Sequence, residues 1–144
     1  MTQSLYESDF YAWANEQAVL LRAGKLDIAD IENIAEEIES MGKSEKRELI
    51  NRLTVLLLHM LKWQFQPERR GSSWEATVTV QRDDLRDHMA DNPSLKGTLP
   101  EAITDAYRKA AILAHGETNL PKAAFPAACP WSFEQIMDDG FWPK

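Results

Sequence analysis

The chain has 144 residues, of which 44% are hydrophobic and 27% are charged, and this combination is typical of one folded domain rather than of a disordered chain. Its net charge of −7 argues against bulk binding to nucleic acid, which requires a positive surface. The longest apolar run, residues 55–58, is far shorter than the roughly 20 apolar residues of a membrane-spanning helix, so no contact with a membrane is predicted.

Two features of the sequence favour the cytoplasm. The N-terminal residues are acidic and lack the basic start and apolar core of a secretory signal. Cys129 is the only cysteine, so it has no partner for an internal disulfide, and a free thiol suits a reducing compartment. The charge is unevenly distributed, with −7 in residues 1–45, +2 in residues 46–122 and −2 in residues 123–144. This distribution predicts an acidic first third and a middle section that holds the basic clusters.

The first two predicted helices lie in the acidic third of the chain. Ser4 or Ser8 can cap the first helix, and Gly24 is its expected stop. Asp27 begins the second helix, which ends at Gly42. Apolar residues recur there at steps of three and four, which predicts a buried stripe made of Ile28, Ile31, Ile34, Ala35, Ile38 and Met41.

Three longer predicted helices follow. The third begins at Ser44 and stops at Pro67, since residues just before a proline avoid the helical conformation. Ser73 caps the fourth helix, which breaks before Pro93. Its β-branched residues 77–80 would also suit a strand, but helix is preferred because no second strand exists to pair with them. Pro100 suits the first turn of the fifth helix.

The last part of the chain is irregular and ends in a short helix. Ser132 and Gln135 have the spacing of a capping box, which begins a helix through Asp138, and the apolar tail is expected to pack back on the core. The predicted fold class is therefore all-α, a helical bundle of about five main helices plus a short C-terminal helix, forming a single domain over residues 1–144. Short loops between helices two to five predict antiparallel packing.

A polar cluster is predicted where the third helix ends and the fourth begins. Guanidinium groups and the free N–H groups of a helix start can both hold an anion, so the cluster could bind phosphate, carboxylate or nucleic-acid backbone. The preferred alternative is an arginine pair that bridges to the acidic second helix, with the tryptophans in the core. The residues concerned are His59, Lys62, Trp63, Arg69, Arg70 and Trp74.

The three histidines, His59, His88 and His115, fall on three different predicted helices. A bundle can bring such residues together around a metal, with an acid such as Glu117, Asp84 or Glu36 assisting. No two of them have the spacing that places side chains on one face of the same helix, however. Three unrelated histidines with local hydrogen bonds are therefore preferred, and no metal site is assigned.

Two further residues have alternative interpretations. Arg82 lies beside the inner face of the fourth helix, and a buried arginine needs a carboxylate partner, for which Glu117 is the candidate. With Tyr107 on the fifth helix, this predicts a polar core network in preference to the wall of an active site. Cys129 could be a nucleophile activated by a histidine, but its proline- and tryptophan-rich surroundings favour a small buried thiol.

Several motifs in order resemble the bacterial family named domain of unknown function 29. They lie in residues 6–13, 34–42, 59–67, 70–74, 92–96 and 125–130, so the resemblance covers nearly the whole chain. It implies an all-helical fold and no particular activity. It directs attention to the polar members of the motifs, which are Glu36, Glu37, His59, Lys62, Arg70, Trp74 and Arg82.

The function predicted from these observations is a small cytoplasmic interaction or ligand-binding module, with a basic anion-binding pocket around Arg69 and Arg70 that faces an acidic helix. A protein partner or a small anionic ligand would suit it, and no cofactor is indicated. The alternative is a metal-dependent or nuclease-like enzyme that uses His59 with Glu36 or Glu37. A third possibility is a self-associating helical subunit. The acidic run in residues 27–39 could bind a cation or a basic partner, although a solvated helix face is preferred.

Overall fold

The structure is a computed structural model that describes residues 4–144, and within that range it contains helices and no strand. The all-α prediction is confirmed. Three short 3-10 turns lie between the later helices, at Pro67–Arg69, Pro93–Thr98 and Lys122–Ala124. The α-helices are α1 (Leu5–Ser8), α2 (Phe10–Arg22), α3 (Ile31–Phe65), α4 (Ser72–Asp91), α5 (Leu99–Thr118) and α6 (Phe133–Met137).

The predicted turn between the second and third helices is wrong, because α3 continues from Ile31 to Phe65 without a break. A glycine that ends a helix usually adopts a positive φ, as Gly24 does after α2 with a φ of 72°. Gly42 has no positive φ, and helical glycine costs only about 1 kcal/mol relative to alanine. The lysines and glutamates that follow Gly42 favour helix, so the described chain has four long helices instead of five.

The chain forms two compact units, Met1–Ser44 and Glu45–Lys144. The boundary falls within α3, so this helix contributes its first part to one unit and its second part to the other. The prediction of a single domain over residues 1–144 stays a prediction.

The first unit is organised around Trp13 and Asp30. Ser4 caps α1 as predicted, and Asp9 caps the separate helix α2 by accepting a hydrogen bond from a backbone N–H. The Nε1–H of Trp13 donates to Asp30 Oδ2 over 3.0 Å. The amide oxygen of Gln17 accepts from the backbone N–H of Asp30 over 2.7 Å. These two bonds hold Asp30 just before α3, which explains why the helix begins at Ile31 and not at Asp27.

The predicted buried stripe of the first unit is largely exposed. Ile28, Ile31, Ile38 and Met41 are between 49% and 62% exposed, whereas Ile34 is half-buried. In the described part of this unit, Trp13 is the buried hydrophobic residue, and it packs against the rings of Tyr6 and Phe10. A unit made of two helices and a short turn has too few apolar neighbours to cover a full stripe.

In the second unit, α4 runs antiparallel to α3 while α5 runs parallel to it. Successive helices thus alternate in direction, as the antiparallel prediction requires. The prediction is wrong for the predicted second and third helices, because they form one continuous helix. Side-chain pairs between helices define these directions, with Lys46–Glu101 and Lys62–Glu117 joining α3 to α5, and Glu48–His88 and Arg52–Asp84 joining α3 to α4.

The core of the second unit combines large residues on α3 with small residues on α5. Four fully buried alanines recur every fourth residue of α5, which lets this helix approach its neighbours closely. The capping box at Ser132 and Gln135 is confirmed, and Ile136 of α6 is buried in the same core. The main core residues are Leu49, Leu53, Leu56, Leu57 and Leu61 of α3, Val78 and Leu85 of α4, and Ala102, Ala106, Ala110 and Ala114 of α5.

Candidate functional site

The site residues proposed from the sequence are divided between the two units. Glu36 and Glu37 belong to the first unit, and the other members belong to the second. The combination of His59 with either glutamate depended on a turn at Gly42, and α3 has no turn there. Glu37 instead accepts a hydrogen bond from the hydroxyl of Tyr6. That bond is the main cause that raises the pKa of Tyr6 to about 12.

His59 has a local structural role. Its Nδ1 lies 2.8 Å from the backbone carbonyl of Val55, one turn earlier on α3, so Nδ1–H is the donor and the carbonyl accepts. Partial burial lowers the pKa of His59, and the nearby Lys62 acts in the same direction. The imidazole is therefore held in its neutral form by its surroundings.

Lys62 and Trp74 are brought together, but by an arrangement that the sequence did not predict. The ammonium of Lys62 lies 4.9 Å from the centre of the Trp74 ring and 3.2 Å from Glu117 Oε1. Both contacts stabilise the ammonium group, through the ring quadrupole and through the opposite charge. Glu117 is thus the partner of Lys62 and not of Arg82, so that predicted pair is wrong.

Arg69 and Arg70 differ in what they contact. The Nε–H of Arg70 donates to the backbone carbonyl of Trp63 over 2.7 Å, and its guanidinium lies 5.2 Å from the centre of the Trp63 ring. A cation at the end of α3 satisfies carbonyl groups that the helix leaves unbonded. Arg69 is exposed. The anion pocket around this pair stays a prediction.

Arg82 is the most deeply buried charge of the described chain, at 1% exposure. Its Nε–H donates to the carbonyl of Ile136 over 2.7 Å, and its Nη2 donates to the carbonyl of Phe141 over 2.9 Å. The ring of Trp142 covers the same guanidinium at 5.6 Å. Burial lowers the pKa of Arg82, whereas Asp139 and Asp138 oppose that change. Backbone carbonyls at the end of α6 replace the predicted carboxylate, since the last carbonyls of a helix lack internal donors.

A cavity of about 990 Å³ lies in the second unit between α5 and the proline-rich segment 121–131. Helix α5 supplies one wall through residues that share a face at helical spacing. The segment supplies the opposite wall. The residues lining the cavity include Ile103, Thr104, Tyr107, Arg108 and Ala111 from α5, and Lys122, Phe125, Pro126, Cys129 and Trp131 from the segment.

Two side-chain contacts and one backbone turn position the segment beside α5. The hydroxyl of Tyr107 donates to the carbonyl of Pro126 over 2.6 Å. The ring of Phe125 is buried edge-on against Phe65, with ring centroids 5.2 Å apart. Asn119, in the left-handed conformation with a φ of 61°, turns the chain back after α5. Because prolines cannot donate backbone hydrogen bonds, the segment is irregular outside the short turn at Lys122–Ala124, and it contacts α5 through side chains.

The chemistry of the cavity is apolar with a basic edge. Arg108 and Lys122 are exposed at its wall, and neither forms a salt bridge with any carboxylate in residues 4–144. Burial raises the pKa of Tyr107 to about 12 and also raises the pKa of the Cys129 thiol. A thiol that stays protonated is a poor nucleophile, which agrees with the structural interpretation of Cys129.

Arg108, Lys122 and Thr104 were missed by the sequence reasoning. The helical spacing of Tyr107 and Arg108 on α5 does not indicate a cavity. The other wall of the cavity comes from a segment without a periodic pattern, so the sequence did not show that it lies against α5. The three prolines at positions 121, 126 and 130 were the available signal, since a segment that forms no regular structure against a helix leaves unfilled space.

The histidines have separate surroundings. His115 Nδ1 lies 2.6 Å from the carbonyl of Leu120, so it is bonded locally, as His59 is. His88 differs because it is buried and its ring lies beside Glu45 and Glu48 of α3. Those two glutamates, three residues apart on one helix face, were not among the predicted ligands.

Within residues 4–144, each helix is either too short or too polar to cross a membrane. No curated protein matches the chain. No solved structure matches it either. The family model described as Domain of unknown function DUF29 matches residues 5–142, and the chain therefore belongs to this family.

Proposed function

We propose that the protein is a binding module for a small amphipathic anion, a molecule with an apolar body and one carboxylate or phosphate group, held in the cavity beside α5. The observation that carries the proposal is the cavity of about 990 Å³ with apolar walls and two cations at its edge. Ligand sites in proteins are commonly concave, apolar and about 300–1,000 Å³ in volume, with a few polar groups that orient the ligand.

The cavity is lined by both aromatic and cationic side chains, and this combination supports an amphipathic anion as the ligand. Phe125 and Trp131 are buried and offer ring surface to an apolar body. Arg108 and Lys122 can each donate to an anionic group, and charge-assisted hydrogen bonds are stronger than neutral ones. We also place the protein in the cytoplasm, a proposal supported by the free thiol of Cys129.

The test compares decanoate with decanol as probes, measured by isothermal titration calorimetry. Decanoate is expected to bind the wild-type chain more tightly than decanol. Arg108→Gln and Lys122→Gln are each expected to weaken decanoate binding by about tenfold, the loss of one charged hydrogen bond, while leaving decanol binding unchanged. Equal effects on both probes would contradict the role of the charges.

Two control variants separate this site from others. Lys109→Gln removes the neighbouring cation on α5, which does not line the cavity, and is expected to bind decanoate as the wild type does. Arg70→Gln tests the pocket that the sequence predicted around Arg69 and Arg70. If Arg70→Gln weakens decanoate binding and Arg108→Gln does not, the anion site lies at Arg70 and the proposal is wrong.

A second candidate function is the binding of a basic amphipathic helix by the first unit. The exposed stripe of Ile31, Ile38 and Met41 supports it, since contiguous apolar surface often marks an interaction site. Glu32, Glu36 and Glu39 line a shallow depression on a different face of the same helix, so they favour a partner rich in lysine or arginine through their negative field and not by direct pairing beside the apolar stripe.

The test uses a designed helical peptide of leucines and lysines, with a matched peptide in which glutamates replace the lysines. Fluorescence anisotropy is expected to show binding of the basic peptide alone. Ile38→Lys should abolish it, whereas Ile112→Lys, at an exposed apolar residue of the second unit, should not. Equal binding of both peptides would contradict this candidate.

A further inference from the structure

We propose that Glu45, Glu48 and His88 form a binding site for a divalent transition-metal cation, with Zn²⁺ as the metal that suits the ligand set best. All three residues belong to the second unit, and none of them lines the cavity beside α5. No metal site was assigned from the sequence, because no two histidines share a helix face, and Glu45 and Glu48 were not among the candidate ligands. The inference therefore concerns a second site, separate from the proposed ligand cavity.

The ligand atoms are spaced close to the distances that a zinc site needs. Nδ1 of His88 lies 2.9 Å from Glu48 Oε2 and 3.6 Å from Glu45 Oε2. One ligand atom from each residue can be chosen so that all lie within 4.8 Å of one another. Zinc binds nitrogen and carboxylate oxygen at about 2.0–2.2 Å, which places neighbouring ligand atoms of a tetrahedron about 3.3–3.5 Å apart. Small side-chain rotations would therefore complete the geometry.

The hydrogen bonding of His88 points to a cation at Nδ1. Its Nε2 lies 2.8 Å from the backbone carbonyl of Glu45, and a carbonyl only accepts, so the ring proton must be on Nε2. In the neutral ring, Nδ1 then carries a lone pair that faces two carboxylates, which are also acceptors. A metal ion resolves this conflict by accepting electron pairs from all three groups, and a backbone carbonyl on the other ring nitrogen is the usual support of a ligating histidine.

The surroundings orient the carboxylates. The guanidinium of Arg52 donates to Glu48 Oε1 over 3.0 Å and to Asp84 Oδ2 over 3.0 Å. The other oxygen of Glu48 is thereby left directed at His88. The Asn92 amide lies 3.5 Å from Glu45 Oε2. Such outer contacts fix ligand orientation and are part of most metal sites.

The site is accessible from solvent on its acidic side. The side chain of His88 is 8% exposed, whereas those of Glu45 and Glu48 are 47% and 43% exposed. A metal bound there would have three protein ligands and an open position for water, an arrangement found in zinc sites that exchange ligands. A cation could therefore enter the folded protein without any opening of the core.

The test measures zinc binding to the full chain after treatment with a chelator. Calorimetry and elemental analysis with zinc chloride are expected to give a single ion per chain, together with a rise in Tm, because a ligand that binds only the folded state stabilises it. His88→Gln and Glu48→Gln should each weaken zinc binding by about tenfold or more. His115→Gln removes a histidine of the same unit that lies elsewhere, and it should bind zinc as the wild type does.

Two outcomes would overturn the proposal. Absence of zinc binding by the wild type would show that the cluster is a structural contact between α3 and α4 and holds no metal. Unchanged binding in both Glu48→Gln and His88→Gln would place the metal elsewhere. If His88→Gln fails to fold by circular dichroism, Glu45→Gln and Glu48→Gln decide the question, since these side chains are nearly half exposed. The ¹⁵N resonance of His88 Nδ1 should shift on zinc addition while Nε2 keeps its proton.

Discussion

Arg82 shows how a single buried side chain can secure the end of the chain. Its guanidinium donates to carbonyls of α6 and of the C-terminal tail. A buried carbonyl that loses its donor costs about 1–3 kcal/mol. Arg82→Ala is therefore expected to lower the free energy of unfolding by about 3 kcal/mol or more, measured by urea denaturation.

Arg86 provides the matched control for Arg82, since it lies one turn further along α4. Its side chain is 43% exposed, pairs with Asp83 and Asp139, and donates one long, exposed bond of 3.3 Å to the Met137 carbonyl. Exposed ion pairs contribute little, so Arg86→Ala should cost less than about 1 kcal/mol. A similar cost for both variants would show that the carbonyl contacts of Arg82 do not stabilise the tail.

Tyr107 should make stability sensitive to alkaline pH. Burial raises the pKa of this phenol from 10.0 to about 12, so the folded protein favours the neutral form. The associated stability is fully present below pH 10.0 and is lost as the pH rises towards about 12. Tyr107→Phe should reduce the fall in unfolding free energy over this range. A fall of the same size in the variant would assign it to other groups, such as Tyr6 or Cys129.

At the scale of a whole element, the continuity of α3 can be tested by whether a substitution at Gly42 raises or lowers the free energy of unfolding. A Cβ added at Gly42 would meet no atom within 4 Å, so Gly42→Ala should stabilise the protein by about 0.5–1 kcal/mol, the usual gain in a helix interior. Gly24 has a φ of 72°, so Gly24→Ala should destabilise it by about 1 kcal/mol. Thermal denaturation measures both, and destabilisation by Gly42→Ala would indicate a turn at that position.

The elements that could be predicted from sequence are those with local signals. The capping box at Ser132, the stop at Pro67 and the left-handed Gly24 each depend on residues within one turn, and all three are found. Glycine is compatible with both a helix end and a helix interior. The presence of Gly42 alone therefore does not indicate whether the helix stops there or continues. The partners of Arg82 lie 53 to 59 residues away, and no pattern in the sequence specifies such a contact. The prolines of segment 121–131 indicated an irregular stretch, but no pattern in the sequence specified that it would lie against α5 and form a wall of the cavity.

At the scale of the whole molecule, and within residues 4–144, the main cluster of buried hydrophobic residues lies in the second unit, from Leu49 onward, whereas the first unit buries Trp13. Local stability follows the amount of buried apolar contact. Amide hydrogen exchange followed by NMR should therefore find the strongest protection in the buried parts of α3, α4 and α5. Amides of α2 should exchange faster, since Trp13 and Gln17 are its buried residues. Equal protection of α2 and α5 would show that the two units unfold together.

The alanine face of α5 has a consequence for how the protein can diversify. Residues 102, 106, 110 and 114 accept only a small side chain, because each is fully buried against the other helices. Thr104 and Arg108 lie on the same helix but are exposed at the cavity. A library that varies these two positions and keeps the alanines would sample many binding preferences while each member still folds. Helix α5 thus carries both positions that tolerate substitution and positions that must stay small.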